Sequence, residues 1–159
     1  MKIAVCFVCH GNICRSPMAE FVLRDMAERQ GLSQTIAVCS RAESEEEIWR
    51  GRGNPVYPPV RELLWRHGIN CDEKRAQLLT AEDYAQSDLV IAMDSSNLRA
   101  MHRLLGGDPH HKFRLLLDYT ETPGDIADPW YSRDFETTWR QITAGCAGFL
   151  EQLKKEKKL

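Results

Sequence analysis

Cys9-His10-Gly11-Asn12-Ile13-Cys14-Arg15-Ser16-Pro17 sets a thiol and a guanidinium with five residues between them, between a strand-like and a helix-like segment. On its N-terminal side, Ile3-Ala4-Val5-Cys6-Phe7-Val8 is an apolar run rich in β-branched and aromatic residues, which predicts a buried strand of a parallel sheet. The run is too short for a signal peptide or a membrane span. From Ser16 the pattern becomes helical, with Pro17 in the first turn and Ala19, Val22, Leu23, Met26 and Ala27 on one face. The loop is therefore expected to deliver the chain to a helix N-terminus.

That placement has chemical consequences. A helix N-terminus presents unpaired N–H groups and about half a positive charge, which attract a phosphate dianion and favour thiolate over thiol. A free thiol ionises near about 8.5, and such surroundings lower this to roughly 3.5 to 7.5, so Cys9 is the candidate nucleophile. The planar Arg15 guanidinium can hold two phosphate oxygens at once and stays charged throughout. Gly11 allows close backbone approach, and Asn12 tolerates a left-handed turn while its side chain ties the loop together. Ser16 can donate a hydrogen bond to the Cys9 sulfur as that sulfur departs.

Expelling an alkoxide or phenoxide from phosphorus is easier when an acid protonates it, an effect worth about 10² to 10⁴ in rate. Asp128 is the leading candidate, in the turn-rich Gly124-Asp125-Ile126-Ala127-Asp128-Pro129, with Asp125 and Asp118 behind it. Composition alone also reads Asp128-Pro129 as a turn initiator. Trp130 and Tyr131 follow directly, and they could wall a slot for a planar ring, with Ile13 and His10 on the other side.

Elsewhere the chain alternates strand and helix signals. Thr35 to Cys39 reads as a second strand, followed by a polar loop through Asn54. Pro58-Pro59 opens a helix running to His67 and closed by Gly68. Thr80 to Asp83 caps a short helix, Asp88 to Met93 is a third strand, and Ser95 caps a helix ending at Gly106-Gly107. Phe113 to Leu117 is a fourth strand, and the last helix starts near Asp134. The expectation is an α/β fold, a four-stranded parallel sheet with helices on both faces and the phosphate-binding loop after strand 1. Ligands should gather at the carboxyl ends of the strands, where Cys9 lies.

These residues resemble the low-molecular-weight protein tyrosine phosphatases, whose signature is a cysteine, five residues, arginine and serine close to the N-terminus. The resemblance continues through Ser40 to Ser44, Gly53 to Pro55, Arg66 to Ile69, Met93 to Leu98 and Asp128 to Tyr131, nearly the whole chain. It implies a small cytoplasmic enzyme that removes phosphate from a phosphotyrosine-containing protein or peptide through a cysteinyl-phosphate intermediate. It assigns Asp128 as general acid and then base, from the family's Asp-Pro-aromatic motif. It also implies that Ser40 and His67 hydrogen-bond Asn12 and stiffen the loop. Read from the residues alone, His67 is a helix C-terminal cation.

One stretch departs from the family pattern. Glu43-Ser44-Glu45-Glu46-Glu47-Ile48 is acidic where a second aromatic wall is expected, and Trp49 to Arg52 looks inserted. Trp49 is the candidate substitute wall, and the glutamates would favour basic residues flanking the phosphotyrosine. They read equally well as a solvated surface. Together the loop residues His10, Gly11, Asn12, Ile13 and Cys14 with Trp130, Tyr131 and Trp49 make up the expected substrate site.

Length and composition agree. With 159 residues, 43% of them hydrophobic, the chain can bury one core, and residues 1–159 are expected to form a single domain. The formal charge of −2 and the absence of long basic runs argue against a nucleic-acid partner, and nothing suggests a membrane. The Lys154 to Lys158 tail reads as a solvated helix end. A monomer or weak self-association is expected. His102, His110 and His111 lack ligand spacing, so neither a metal nor a cofactor is expected.

Six cysteines would suggest disulfides in an exported chain, but a nucleophilic Cys9 must stay reduced, which favours the cytoplasm. Cys14 could form a reversible disulfide with Cys9 and protect it from over-oxidation. Cys6, Cys39, Cys71 and Cys146 read as buried small hydrophobes. Three rival readings share parts of this pattern. An arsenate reductase would need further relay cysteines, and Cys71 stands alone. A protein arginine phosphatase differs mainly at the residue after the loop asparagine, where threonine suits phosphoarginine and this chain has Ile13. A non-catalytic phosphopeptide-binding module would lack the thiol, the arginine or the acid.

Overall fold

The computed structural model describes residues 2–159. Strand β1 (Ile3–Cys9) is the apolar run that opens the chain, and it lies inside a parallel sheet of order β2-β1-β5-β6. Its neighbours are β2 (Ile36–Ala42) and β5 (Leu89–Ala92), and β6 (Phe113–Leu115) completes the sheet beyond β5. A strand hydrogen-bonded on both sides and covered on both faces must be apolar throughout, which is why β1 does not alternate.

The two faces of β1 feed two clusters. Val5, Phe7 and Cys9 join the larger core under α1 (Arg15–Arg29) and α6 (Phe135–Lys155), which includes Met18, Leu23, Ile142 and Phe149. Cys6 and Val8 join a smaller cluster on the other face with Leu79, Tyr84, Met101 and Phe113, under α3 (Ala81–Gln86) and α4 (Ser95–Leu105). Helix α6 comes so close to the 3-10 turn Leu116–Tyr119 that a Cβ on Gly148 would stand 2.0 Å from the Tyr119 carbonyl oxygen.

Several boundaries differ from the sequence expectation. β2 extends past Cys39 to Ala42, because the ladder continues from Cys6↔Cys39 to Cys9↔Ala42 and carries polar Ser40 and Arg41 along with it. The supposed polar loop contains a small antiparallel hairpin, β3 (Ile48–Trp49) with β4 (Arg52–Gly53). Helix α2 (Pro58–Arg66) starts at the diproline as expected, and Gly68 takes the left-handed conformation beyond its end. The Thr80 cap of α3 forms a reciprocal capping box with Asp83. The cap of α4 is Asp94 rather than Ser95, with Asn97 completing its box. The fourth strand stops at Leu115, where the chain tightens into the 3-10 turn, and Asp128-Pro129 opens a further short helix, α5 (Pro129–Ser132). No helix among the described residues is long and apolar enough to cross a membrane.

Candidate active site

The carboxyl end of β1 and the first turn of α1 hold residues 9–15 as a closed loop, with Asn12 in the left-handed region at φ 60°. Asn12 is its tie. The side-chain amide donates to Ser16 Oγ at 2.8 Å and to Ser40 Oγ at 2.9 Å, while its oxygen accepts from the Gln77 backbone N–H at 3.1 Å. Ser40 in turn donates to Glu20 Oε1 at 2.6 Å. With Ser16 Oγ accepting from the amide, its one hydroxyl proton has two acceptors in reach, Cys9 Sγ at 3.0 Å and the Arg41 carbonyl at 3.4 Å.

Arg15 is buried and held from two sides. Its Nη1 donates to Asp94 Oδ2 at 2.6 Å and to the Ile126 carbonyl at 2.8 Å, and its Nη2 lies 3.6 Å from Asp128 Oδ2. Burial alone would lower the guanidinium pKa, but the neighbouring Cys9 and the Asp94 and Asp128 carboxylates outweigh it and the pKa is raised. The second carboxylate oxygen of Asp94 accepts the Asn97 N–H at the start of α4, so one side chain anchors both a helix and the guanidinium. Asp128 is fixed similarly, its Oδ1 accepting from Trp130 N–H at 3.0 Å. The loop carrying it is pinned by Ile126 N–H to the Met93 carbonyl at 3.0 Å and by Ser95 Oγ to Asp125 Oδ1 at 2.7 Å.

These groups open into one cavity of about 120 Å³, lined by the loop residues Cys9, His10, Gly11, Ile13, Cys14 and Arg15 and by Asp128, Trp130 and Tyr131, with Glu46 and Glu47 at its edge. Tyr57 backs Trp130, their ring centroids 4.8 Å apart. The cavity thus joins a sulfur, a guanidinium and a carboxylate at one end to an aromatic wall at the other. Burial, the first influence, and the nearby Cys9 push the Cys14 thiol well up.

His10 bridges the loop to the acidic segment. Its Nδ1 lies 2.6 Å from Glu43 Oε1 and its Nε2 lies 2.9 Å from Glu46 Oε2, so both nitrogens donate only as the imidazolium. Burial works against that charge, yet the hydrogen bonds to Glu43 and then Glu46 raise its pKa above 6.5.

Two expected members lie elsewhere. Trp49 is 75% exposed and absent from the cavity lining, because alternation along the hairpin turns Ile48 toward the core and Trp49 outward. His67 does not reach Asn12: it ends α2, where its Nδ1 lies 2.9 Å from the Leu63 carbonyl and its ring stacks on Trp139 at 4.0 Å. Half-buried Lys74 takes the position beside Ser40 instead, donating to the Ser40 carbonyl at 3.0 Å with Glu20 at 3.8 Å. Burial lowers its pKa despite Glu20. Of the weaker acid candidates, Asp125 serves Ser95, and Asp118 lies on the 3-10 turn facing a different surface depression. Asp94, Glu20 and Lys74 were not singled out from sequence. Glu20 lies one turn beyond Ser16 and Asp94 at the carboxyl end of β5, so both carried a positional signal; Lys74 carried none.

The model of the family described as low molecular weight phosphotyrosine protein phosphatase matches residues 4–159. A low molecular weight protein-tyrosine-phosphatase of Bacillus subtilis, YfkJ, is 38% identical over 159 residues, 99% of each chain. The human low molecular weight phosphotyrosine protein phosphatase is 38% identical over 94% of each. The crystal structure of YfkJ superposes with a TM-score of 0.89 at 36% identity, covering 99% of this chain and 98% of that one. DARP, a Drosophila arginine phosphatase, superposes at 0.83 with 31% identity, covering 97% and 98%.

Proposed function

Because the chain belongs to the low molecular weight phosphotyrosine protein phosphatase family, we propose that it hydrolyses phosphotyrosine in proteins or peptides through a cysteinyl-phosphate. In this reading the Cys9 thiolate attacks phosphorus in line while Arg15 and the loop N–H groups hold the equatorial oxygens. Asp128 protonates the departing phenol, then deprotonates the water that cleaves the phosphocysteine. Ser16 donates to the sulfur as it leaves. The observation that carries the reading is the convergence of Cys9 Sγ, the pinned Arg15 and Asp128 on one small cavity, with Ser16 Oγ 3.0 Å from the sulfur.

Ile13, Trp130 and Tyr131 on the cavity wall favour a phenyl ring as the leaving group's body. One observation favours a second reading. Glu46 and Glu47 stand at the cavity edge, where carboxylates suit the guanidinium of phosphoarginine, and the fold is also that of an arginine phosphatase. Phosphate release from matched phosphotyrosine and phosphoarginine peptides, with Cys9→Ser as the blank, separates the two. Preference for phosphotyrosine supports the proposal, preference for phosphoarginine replaces its substrate, and no release from either overturns the hydrolytic reading. A reducing, cytoplasmic setting suits six free cysteines, and a monomer or weakly associating chain suits a site completed by its own residues.

A further inference from the structure

We propose that Cys6 and Cys39 form a second redox-active thiol pair, remote from the phosphate loop, which closes to a disulfide under hydroperoxide and loosens the Asn12 tie through Ser40.

The two residues are direct partners in the β1–β2 ladder, and both belong to the smaller cluster on the face opposite Cys9. Parallel partners lie about 4.8 Å apart between strands, inside the roughly 4.4 to 6.8 Å that disulfides span between Cα atoms. Where the sequence expectation was a buried small hydrophobe, Cys39 is only partly buried, on the edge strand of the sheet. It lines an open depression of about 260 Å³ with Arg41 and Asp83, large enough for a peroxide. Cys6 is fully buried behind it, which fits an attacking residue followed by a resolving one. The neighbouring Cys6 thiol, with Arg41 adding its charge against burial, lowers the Cys39 thiol to about 7. The same proximity, together with burial, pushes the Cys6 thiol up.

The chemistry balances with hydrogen peroxide or an alkyl hydroperoxide as oxidant. The Cys39 thiolate attacks the terminal peroxide oxygen; the S–O bond forms, the O–O bond breaks, and the departing oxide takes a proton as water or alcohol. The Cys6 sulfur then displaces hydroxide from the Cys39 sulfenic acid. The S–S bond forms, the S–O bond breaks, and the Cys6 proton leaves with hydroxide as water. Two thiols are oxidised by one electron each and one peroxide is reduced by two.

The effect on the loop follows from chain position. Ser40, next along β2, accepts from Asn12 and donates to Glu20, and the Arg41 carbonyl is 3.4 Å from Ser16 Oγ. Drawing Cys39 toward Cys6 re-aims this segment and removes the thiolate that Arg41 faces, so Ser16 loses its set direction toward Cys9.

Bond formation is tested in the Cys9→Ser, Cys14→Ser chain, where the loop thiols cannot react. After mild peroxide, peptide mapping should find residues 6 and 39 linked with the loss of two hydrogens, absent in Cys39→Ser and in Cys6→Ala. Unlinked thiols, or Cys39 carrying only added oxygen, would overturn the proposal. The effect on turnover rests on the phosphatase reading, whereas the linkage does not. It is read in the otherwise unaltered chain with inorganic phosphate shielding Cys9 during oxidation. A several-fold fall in kcat, restored by dithiothreitol and missing in Cys39→Ser, is expected. Linkage with unchanged kcat would overturn the coupling to the loop.

Discussion

Asp94 holds Arg15 at 2.6 Å through one carboxylate oxygen while the other caps helix α4, so the orientation of the Arg15 guanidinium is tied to a helix on the far side of β5. The planar group gains a fixed plane from this contact, the Ile126 carbonyl and Asp128 before any ligand arrives. Preorganisation of that kind places the binding energy in the reaction rather than in arranging the site.

Asp94→Asn keeps an oxygen for the cap but removes the charge facing Arg15. Lower kcat/KM with little change in melting is expected. Asp94→Ala should lose stability as well, by about 1 kcal/mol for the missing cap. Equal activity in all three chains, measured on an aryl phosphate, would remove Asp94 from the orientation of Arg15.

Asp128→Ala should depress turnover by roughly 10² to 10⁴ on esters with poor leaving groups, as expected for a lost general acid. The loss should be much smaller on good leaving groups, whose oxygens need no proton. A Brønsted series across substituted phenyl phosphates reads the difference, and a uniform loss would reassign Asp128 to its other visible task, capping α5.

His10 ties the loop to Glu43 and Glu46 only when protonated, and its pKa is raised in the folded chain. The sign follows: the stabilisation is fully present below the unfolded value of 6.5 and is lost as pH rises through the higher folded value. NMR titration of the His10 ring should give a midpoint above 6.5, falling in Glu43→Gln. A midpoint unmoved by that substitution would deny the clamp.

Gly148→Ala should destabilise the fold, since its Cβ would meet the Tyr119 carbonyl oxygen at 2.0 Å and α6 must move away. Overpacking of this kind costs about 1 to 3 kcal/mol. Chemical denaturation measures it, and a neutral result would mean that the 3-10 turn yields without cost.

Cys14→Ser should make peroxide inactivation less reversible by thiol if Cys14 normally captures an oxidised Cys9. Recovery as complete as in the parent chain would reject that protective role.

The alternation of apolar strands and capped helices was legible because periodicity and caps are local properties: β1, α1, the diproline start of α2 and the Thr80 cap all lie where their own residues put them. The Cys9-to-Ser16 loop was legible for the same reason, since neighbouring residues carry its chemistry. Trp49 and His67 went astray because a two-residue hairpin and a helix end turn side chains by packing against segments far along the chain.

By itself, then, the sequence determined the order of strands and helices and the tight loop that joins β1 to α1, both consequences of short-range sterics and hydrogen bonding. Which distant groups meet that loop was decided only by tertiary structure. Asp94 reaches Arg15 because β5 pairs with β1, Ser40 reaches Asn12 because β2 pairs on the other side, and Lys74 reaches Ser40 through a loop with no marker of its destination. Sheet register and packing of the core fix these meetings, and both depend on the whole chain burying its apolar surface at once.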